Sequence, residues 1–236
     1  MLAIESIHVA IGTVQVLRGL SLEVGAGRMA GLIGRNGAGK TTLLRSVMGH
    51  LAPSRGRIAF DGRDLASWSR HERAAGGIGY MPEDRGLVPE LTVEENILVP
   101  LWATKSRAVA QRLDFVYGVL PELAAMRERR ALLLSGGQQK LVALARALAV
   151  GTRLLLLDEP FEGVAPALSM RLGEVIGGLR GGDLAVLIAQ SDLNHSRRLV
   201  DVEYVIERGA NVAPPDPSAP PAAHAGAVDA VPAGSA

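Results

Sequence analysis

Apolar positions along the chain are spaced as strands near both ends and as helices in the middle. Leu2, Ile4, Ile7 and Val9 alternate roughly, so residues 2–10 and 20–24 are expected to form short strands, with Gly12 in the turn region between them. Gly25-Ala26-Gly27 then turns into a third strand-sized run, Met29-Ala30-Gly31-Leu32-Ile33, and a helix is expected from Thr41 to Met48. After the breaker cluster Pro53-Ser54-Arg55-Gly56, residues 57–65 are expected to form a β-hairpin turning at Asp61-Gly62, and 78–81 a short strand ending at Pro82. Between Leu91 and Leu133 the period becomes helical. Thr92 and Glu95 form a capping-box pair at the head of a helix Val93–Leu101, and Val109, Leu113, Val116 and Leu120 lie near helical spacing. Met126 to Arg130 is a solvated helix end. From Leu154 the elements alternate: strand 153–157, helix about 166–179, strand 184–189, helix 192–199 and strand 202–206. The last stretch, 210–236, is rich in Pro, Ala and Gly. It has too few large apolar side chains to offset the entropy of ordering, and is expected to be a disordered tail.

Composition narrows the partners more than the fold. The 236 residues suit one large domain, or one domain plus a small lobe, and 48% hydrophobic content allows a sizeable core. A formal net charge of +1 argues against nucleic acid as a partner, which would favour a basic stripe. Cysteine is absent, so disulfides and thiolate metal sites are excluded, and the five histidines lack ligand spacing. The N-terminus carries no signal-peptide pattern and no apolar run is long enough to span a bilayer. The expected location is therefore the cytoplasm, with any work at a membrane done through a partner. Lysine occurs only at 40, 105 and 140, and two of these three lie in motifs.

The first motif is Gly34-Arg35-Asn36-Gly37-Ala38-Gly39-Lys40-Thr41-Thr42. It fits G-x-x-x-x-G-K-[ST] and lies between a strand and a helix, the context such a phosphate-binding loop requires. Backbone N–H groups and the positive end of a helix dipole would converge on one spot. Lys40 would reach the β- and γ-phosphates, and the Thr41 hydroxyl would ligate Mg²⁺. The second motif, Leu134-Ser135-Gly136-Gly137-Gln138-Gln139-Lys140, opens a helix with a good N-cap at Ser135 and two glycines that permit close approach of a ligand. In the third, Leu154 to Leu157 suit a strand buried on both faces, and Asp158-Glu159-Pro160 follow where the strand leaves the sheet. Asp158 is suited to hold Mg²⁺, and Glu159 to polarise the water that attacks the γ-phosphate.

In this order and spacing the three motifs resemble the nucleotide-binding subunits of ATP-binding cassette (ABC) transporters, with LSGGQ as the discriminating piece. The resemblance implies an α/β fold: a P-loop NTPase, RecA-like core with an antiparallel β lobe and a helical signature lobe near 87–135, within a domain spanning 1–209. It implies an ATPase using ATP and Mg²⁺. The nucleotide contacts would be Gly34, Asn36, Gly37, Ala38, Gly39, Lys40, Thr41 and Thr42, with Val16 against the base. Ser135, Gly136, Gly137 and Gln138 would reach the γ-phosphate held by a second ATPase subunit in a head-to-tail dimer. Finer features resemble the ATPases of branched-chain amino-acid, urea and related amide importers. These are Glu83 in Tyr80-Met-Pro-Glu-Asp-Arg85, a third candidate metal contact, and Gly163-Val-Ala-Pro166. Gln190 stands where most cassettes carry a switch histidine, and His195 is five residues too late to substitute. The partners implied are integral permeases and, indirectly, a periplasmic solute-binding protein, with the chain peripheral on the inner face of the membrane. A soluble non-transport cassette, or a regulatory one that scarcely hydrolyses ATP, are the alternatives. Gln190 can donate to a γ-phosphate but cannot take up a proton near neutral pH, which leaves turnover to Glu159.

The position where most cassettes stack an aromatic on adenine corresponds to Ile11. Base–aromatic stacking is worth on the order of 1–3 kcal/mol at nucleic-acid sites, so Ile11→Tyr is expected to tighten ATP binding measured by calorimetry. Equal or weaker affinity in the variant would remove Ile11 from the base site.

Overall fold

The computed structural model describes residues 1–192 and 198–212. Along the chain the strands are β1 (Leu2–Ile11), β2 (Val14–Val24), β3 (Met29–Ile33), β4 (Arg55–Phe60), β5 (Arg63–Asp64), β6 (Ile78–Met81), β7 (Leu154–Asp158), β8 (Ala185–Gln190), β9 (Val202–Glu207) and β10 (Ala210–Val212). The α-helices are α1 (Lys40–Val47), α2 (Arg70–Ala75), α3 (Val93–Ala103), α4 (Val109–Val119), α5 (Gly136–Val150) and α6 (Pro166–Gly178).

Two sheets result. β2-β1-β4-β5 is antiparallel, and β10-β9-β3-β8-β7-β6 is parallel except at its β10 edge. The parallel sheet is buried on both faces, and the period-2 geometry of a strand shows it directly. Leu155 and Leu157 of β7, with Val186 and Ile188 of β8, pack among α3, α5 and α6. Their neighbours Leu154, Leu156 and Leu187 face the other way, toward α1 and the antiparallel lobe. The architecture is thus the expected one: a P-loop core, a β lobe and a helical lobe.

Differences from the sequence reading have local causes. β2 begins at Val14 rather than near 20, and register shifts in its pairing with β1 fall at Ile4/Ile7, Ile7/His8 and Val9/Ala10. Each shift moves side chains to the opposite face and erases the alternation that marks a strand. α2 was not anticipated, although Ser69 and Glu72 form a full capping box at its start. The helix after 105 begins at Val109. Residues 210–212, assigned to the tail, instead form β10 along β9. The expected helix 192–199 and His195 fall largely, and the tail from 213 entirely, outside the described residues.

Arg73 joins α2 to the phosphate-loop helix. It is 7% exposed and donates to the Ser46 and Val47 carbonyls at the end of α1, and to those of Leu65 and Trp68. Carbonyls at a helix C-terminus lack intrahelical partners, so a buried guanidinium there does work that no apolar side chain can do. Arg73→Met is expected to lower unfolding free energy by about 2–4 kcal/mol in urea titration, because several buried acceptors lose a charged donor at once.

Candidate active site

Parallel pairing brings the ends of four strands together. Ile33 lies beside Gln190, Asp158 beside Ala189, and Leu157 beside Met81. The chain leaves β3 at Gly34, whose N–H donates to the Gln190 carbonyl at 3.1 Å. A Cβ at Gly34 would sit 2.3 Å from the Ile206 carbonyl oxygen, so only glycine fits this bend. The loop is held from below by Gly209. Its N–H donates to the Ala38 carbonyl at 2.9 Å, its carbonyl accepts from Arg18 N–H at 2.8 Å, and a Cβ there would lie 1.7 Å from the Val16 carbonyl. α1 starts after Gly39 with no side-chain cap, which leaves first-turn N–H groups and the positive end of the helix directed at the loop's hollow.

Lys40 is 5% exposed, donates to the Gly34 carbonyl at 2.5 Å, and pairs with Glu159 Oε1 at 3.0 Å. Glu159 is held further by Ser191, whose hydroxyl donates to Oε1 at 2.7 Å and whose N–H donates to Oε2 at 3.2 Å. The Ser191 hydroxyl also lies 2.8 Å from Asn36 Oδ1 on the loop. Asp158 accepts from the Thr41 hydroxyl at 3.2 Å and the Tyr80 hydroxyl at 3.3 Å. Burial pushes the Asp158 carboxyl up to about 6, with the Glu83 and Glu159 charges adding to the rise against those two hydrogen bonds. Burial and the Asp158 carboxylate likewise raise Tyr80.

Val16, Asn36, Gly37, Gly39, Lys40, Thr41, Thr42, Glu83 and Glu159 line one cavity of about 400 Å³. It adjoins a second of about 260 Å³ that Asn36 and Glu159 share with Phe161, Glu162, Gln190, Ser191 and Asp192. Most of the expected loop residues thus share one cavity with Val16, Glu83 and Glu159, while Gly34, Ala38 and Asp158 are not in its lining and Asp158 meets it through Thr41. Ile11, half exposed at the end of the β1–β2 hairpin, does not line it, while Val16 does. Ser135, Gly136, Gly137 and Gln138 lie outside this cavity at the start of α5. There the Ser135 side chain caps its own helix, accepting from Gln138 N–H at 3.3 Å, while Gln138 Oε1 accepts from Ser135 N–H at 3.0 Å. Tyr80, Ser191, Lys140 and Gly209 reach the site or its supports without having been singled out as parts of it. The only cue in the sequence was the placement of Tyr80, Lys140 and Ser191 inside or beside recognised motifs. A larger cavity of about 470 Å³ adjoins Thr152 and Leu184, which precede β7 and β8, and so lies at the opposite ends of the strands from the site.

A phosphate loop with a buried lysine after β3, and two successive acids at the end of β7, define a nucleotide-binding cassette of the P-loop class. The ABC transporter family model matches residues 17–162, and the chain belongs to that family. It is 35% identical over 209 residues to the high-affinity branched-chain amino acid transport ATP-binding protein BraG of Pseudomonas aeruginosa, covering 89% of this chain and 90% of that one. It is 33% identical over 215 residues to the lipopolysaccharide export system ATP-binding protein LptB of Haemophilus influenzae, covering 90% and 89%. Among solved structures, an ATP-binding subunit of an ABC transporter aligns with TM-score 0.81 at 26% identity, covering 90% of this chain and 88% of that one. A nucleotide-free ATP-binding cassette from an ABC transporter aligns with TM-score 0.78 at 29% identity, covering 90% of both chains.

The Gly34 bend sets the loop's position against β9, so its disturbance should reach the phosphates. Gly34→Ala is expected to weaken binding of a fluorescent ATP analogue by about tenfold or more, since 1.4 kcal/mol of loop strain suffices for that factor.

Proposed function

We propose that this chain is the ATP-hydrolysing subunit of an importer for a small polar solute of the branched-chain amino-acid, urea or amide type. The observation that carries the ATPase reading is the Lys40–Glu159 contact at 3.0 Å inside the loop's own cavity. One ammonium group cannot fully serve a carboxylate and a triphosphate together. In this reading the phosphates enter on the loop N–H groups, Lys40 turns to them, and Glu159 is released to hold a water molecule. Glu159 takes a proton from that water as its oxygen attacks the γ-phosphorus, the bond to the β-phosphate oxygen breaks, and ADP and phosphate result.

The donor set also fits Mg²⁺. A hydroxyl on Thr41 and a carboxylate on Asp158 lie 3.2 Å apart, and hard oxygen ligands of this kind suit the ion. Thr41 and Asp158 would hold it, with Glu83 opposite, and it would supply neutralisation of phosphate charge. Ser135, Gly136, Gly137 and Gln138 would complete the site of a second ATPase subunit, Gln190 would meet the γ-phosphate, and Val16 would pack against the base.

The importer reading is supported by the 35% identity to BraG together with Glu83 and Gln190. It places the chain on the cytoplasmic face, bound to integral permeases that receive solute from a periplasmic binding protein. No helix among the described residues is long and apolar enough to cross a membrane, so contact through partners suits it. The 33% identity to LptB favours a second reading, a lipid-export cassette. Co-purified permeases reconstituted in vesicles separate the two: solute-stimulated ATP hydrolysis supports import, and hydrolysis indifferent to such solutes counts against it.

Glu159→Gln is expected to abolish steady-state hydrolysis while ATP still binds. Near-normal turnover in that variant would sink the assignment of Glu159.

A further inference from the structure

We propose that Lys140 is a positioning residue for hydrolysis: its ammonium group locks Glu159 in the backbone conformation that aims the carboxylate at Lys40. The proposal rests on the reading of Glu159 as the group that orients the attacking water.

Glu159 has φ of 46°, in the left-handed region that residues with a Cβ avoid. Such a conformation persists only where its surroundings over-determine it. On one side, Glu159 N–H donates to the Ala189 carbonyl at 2.9 Å and so continues the β7–β8 ladder. On the other, the Glu159 carbonyl accepts from Lys140 Nζ at 2.8 Å and from Glu162 N–H at 3.2 Å. Lys140 Nζ also donates to the Glu162 carbonyl at 2.5 Å. The ammonium group therefore grips both ends of the turn from Glu159 to Glu162.

Lys140 is 4% exposed, and burial lowers its pKa, with the nearby Arg85 charge acting in the same direction. A buried lysine is an expensive way to fill space, and an apolar side chain would serve better if packing were all that was needed. It lines neither cavity of the site, so it has no path to the phosphates themselves. What it does reach is the carbonyl of the residue whose carboxylate lies 3.0 Å from Lys40. It does so from α5, a fifteen-residue helix whose first turn is fixed by the Ser135–Gln138 capping box. The Glu159 turn is thereby tied to a rigid element and not only to its own strand.

Lys140→Met retains most of the stem and removes the ammonium group. In the full-length chain, single-turnover hydrolysis at saturating ATP is expected to fall about tenfold or more, with the ATP dissociation constant changed by less than about twofold. Lys140→Arg is expected to recover part of the rate, because a cationic donor is restored. In a Glu159→Gln background, adding Lys140→Met is expected to leave the residual rate within about twofold, since residues acting as one unit are not additive. An equal loss in both backgrounds overturns the proposal and leaves Glu159 as assigned. So does an unchanged rate in Lys140→Met, or a rate lost only in proportion to ATP binding. Near-normal hydrolysis by Glu159→Gln alone removes the reading beneath the proposal, an outcome distinct from the others. Should Lys140→Met fail to fold, Lys140→Gln, which keeps a shorter neutral donor, is taken through the same comparisons with the same decisive outcomes.

Discussion

β3, β8 and β7 run parallel and leave the sheet within one residue of each other: Ile33 opposite Gln190, Ala189 opposite Asp158. The phosphate loop, the two acids and Ser191 inherit their positions from that register. The phosphate loop springs from the first strand end, the two acids from the third, and Ser191 from the second. A slip of one residue in either pairing would turn Asp158 from one face of the sheet to the other and part it from Thr41. The slip is opposed by core packing on both faces, since it would also exchange Leu154 and Leu156 with Leu155 and Leu157 between two differently shaped cores. The chemistry is thus specified by leucines that never touch it.

Within that frame the electrostatics are unbalanced by design of the residues present. Glu83 and Glu159 line a cavity whose lining holds one lysine, and the buried Asp158 carboxylate lies just behind Thr41. The buried Lys40–Glu159 pair is costly to desolvate and is supported by Ser191 on the carboxylate and by the Gly34 and Arg35 carbonyls on the ammonium group. Among the described residues Asp158 forms no ion pair, and burial pushes its carboxyl up to about 6. Carboxylates crowded in low dielectric beside a loop built for anions are what the proposed divalent cation, bound with the phosphates, would neutralise. Thr41 and Asp158 are already adjacent, so little rearrangement separates the present geometry from one that binds both.

How much of this was legible in the sequence depended on the range of the signal. The loop, the acids and the strand Leu154–Leu157 lie in contiguous runs whose composition and order carry the meaning, and the structure sets Glu159 in the loop's cavity and Asp158 on Thr41. The β1–β2 hairpin was read short because its register shifts break the two-residue period. Gly209 supports the loop from 170 residues beyond it, through backbone contacts that leave no side-chain pattern to read. Ser191 and Tyr80 are ordinary residues made specific by the register that sets them beside Glu159 and Asp158. Ile11, placed by resemblance, is half exposed and is not among the residues lining the cavity, whereas Val16, also expected at the base, is.

The turn at Ser135 adds one more step. In the proposed function its first-turn N–H groups and dipole would receive an anion, yet within this chain it lies apart from the loop's cavity and the serine caps its own helix. In the proposed dimer the anion is a phosphate held by the second chain. α5 would then have a partner's phosphate at its head and, five residues along, a lysine on the carbonyl of its own Glu159. A helix is stiff along its axis, because every added turn is hydrogen-bonded to the one before. In that dimer a displacement at Ser135 would reach the Glu159 turn through Lys140. Two ATP sites in such a dimer would be mechanically linked through α5 in each chain, with no need for the nucleotides to meet.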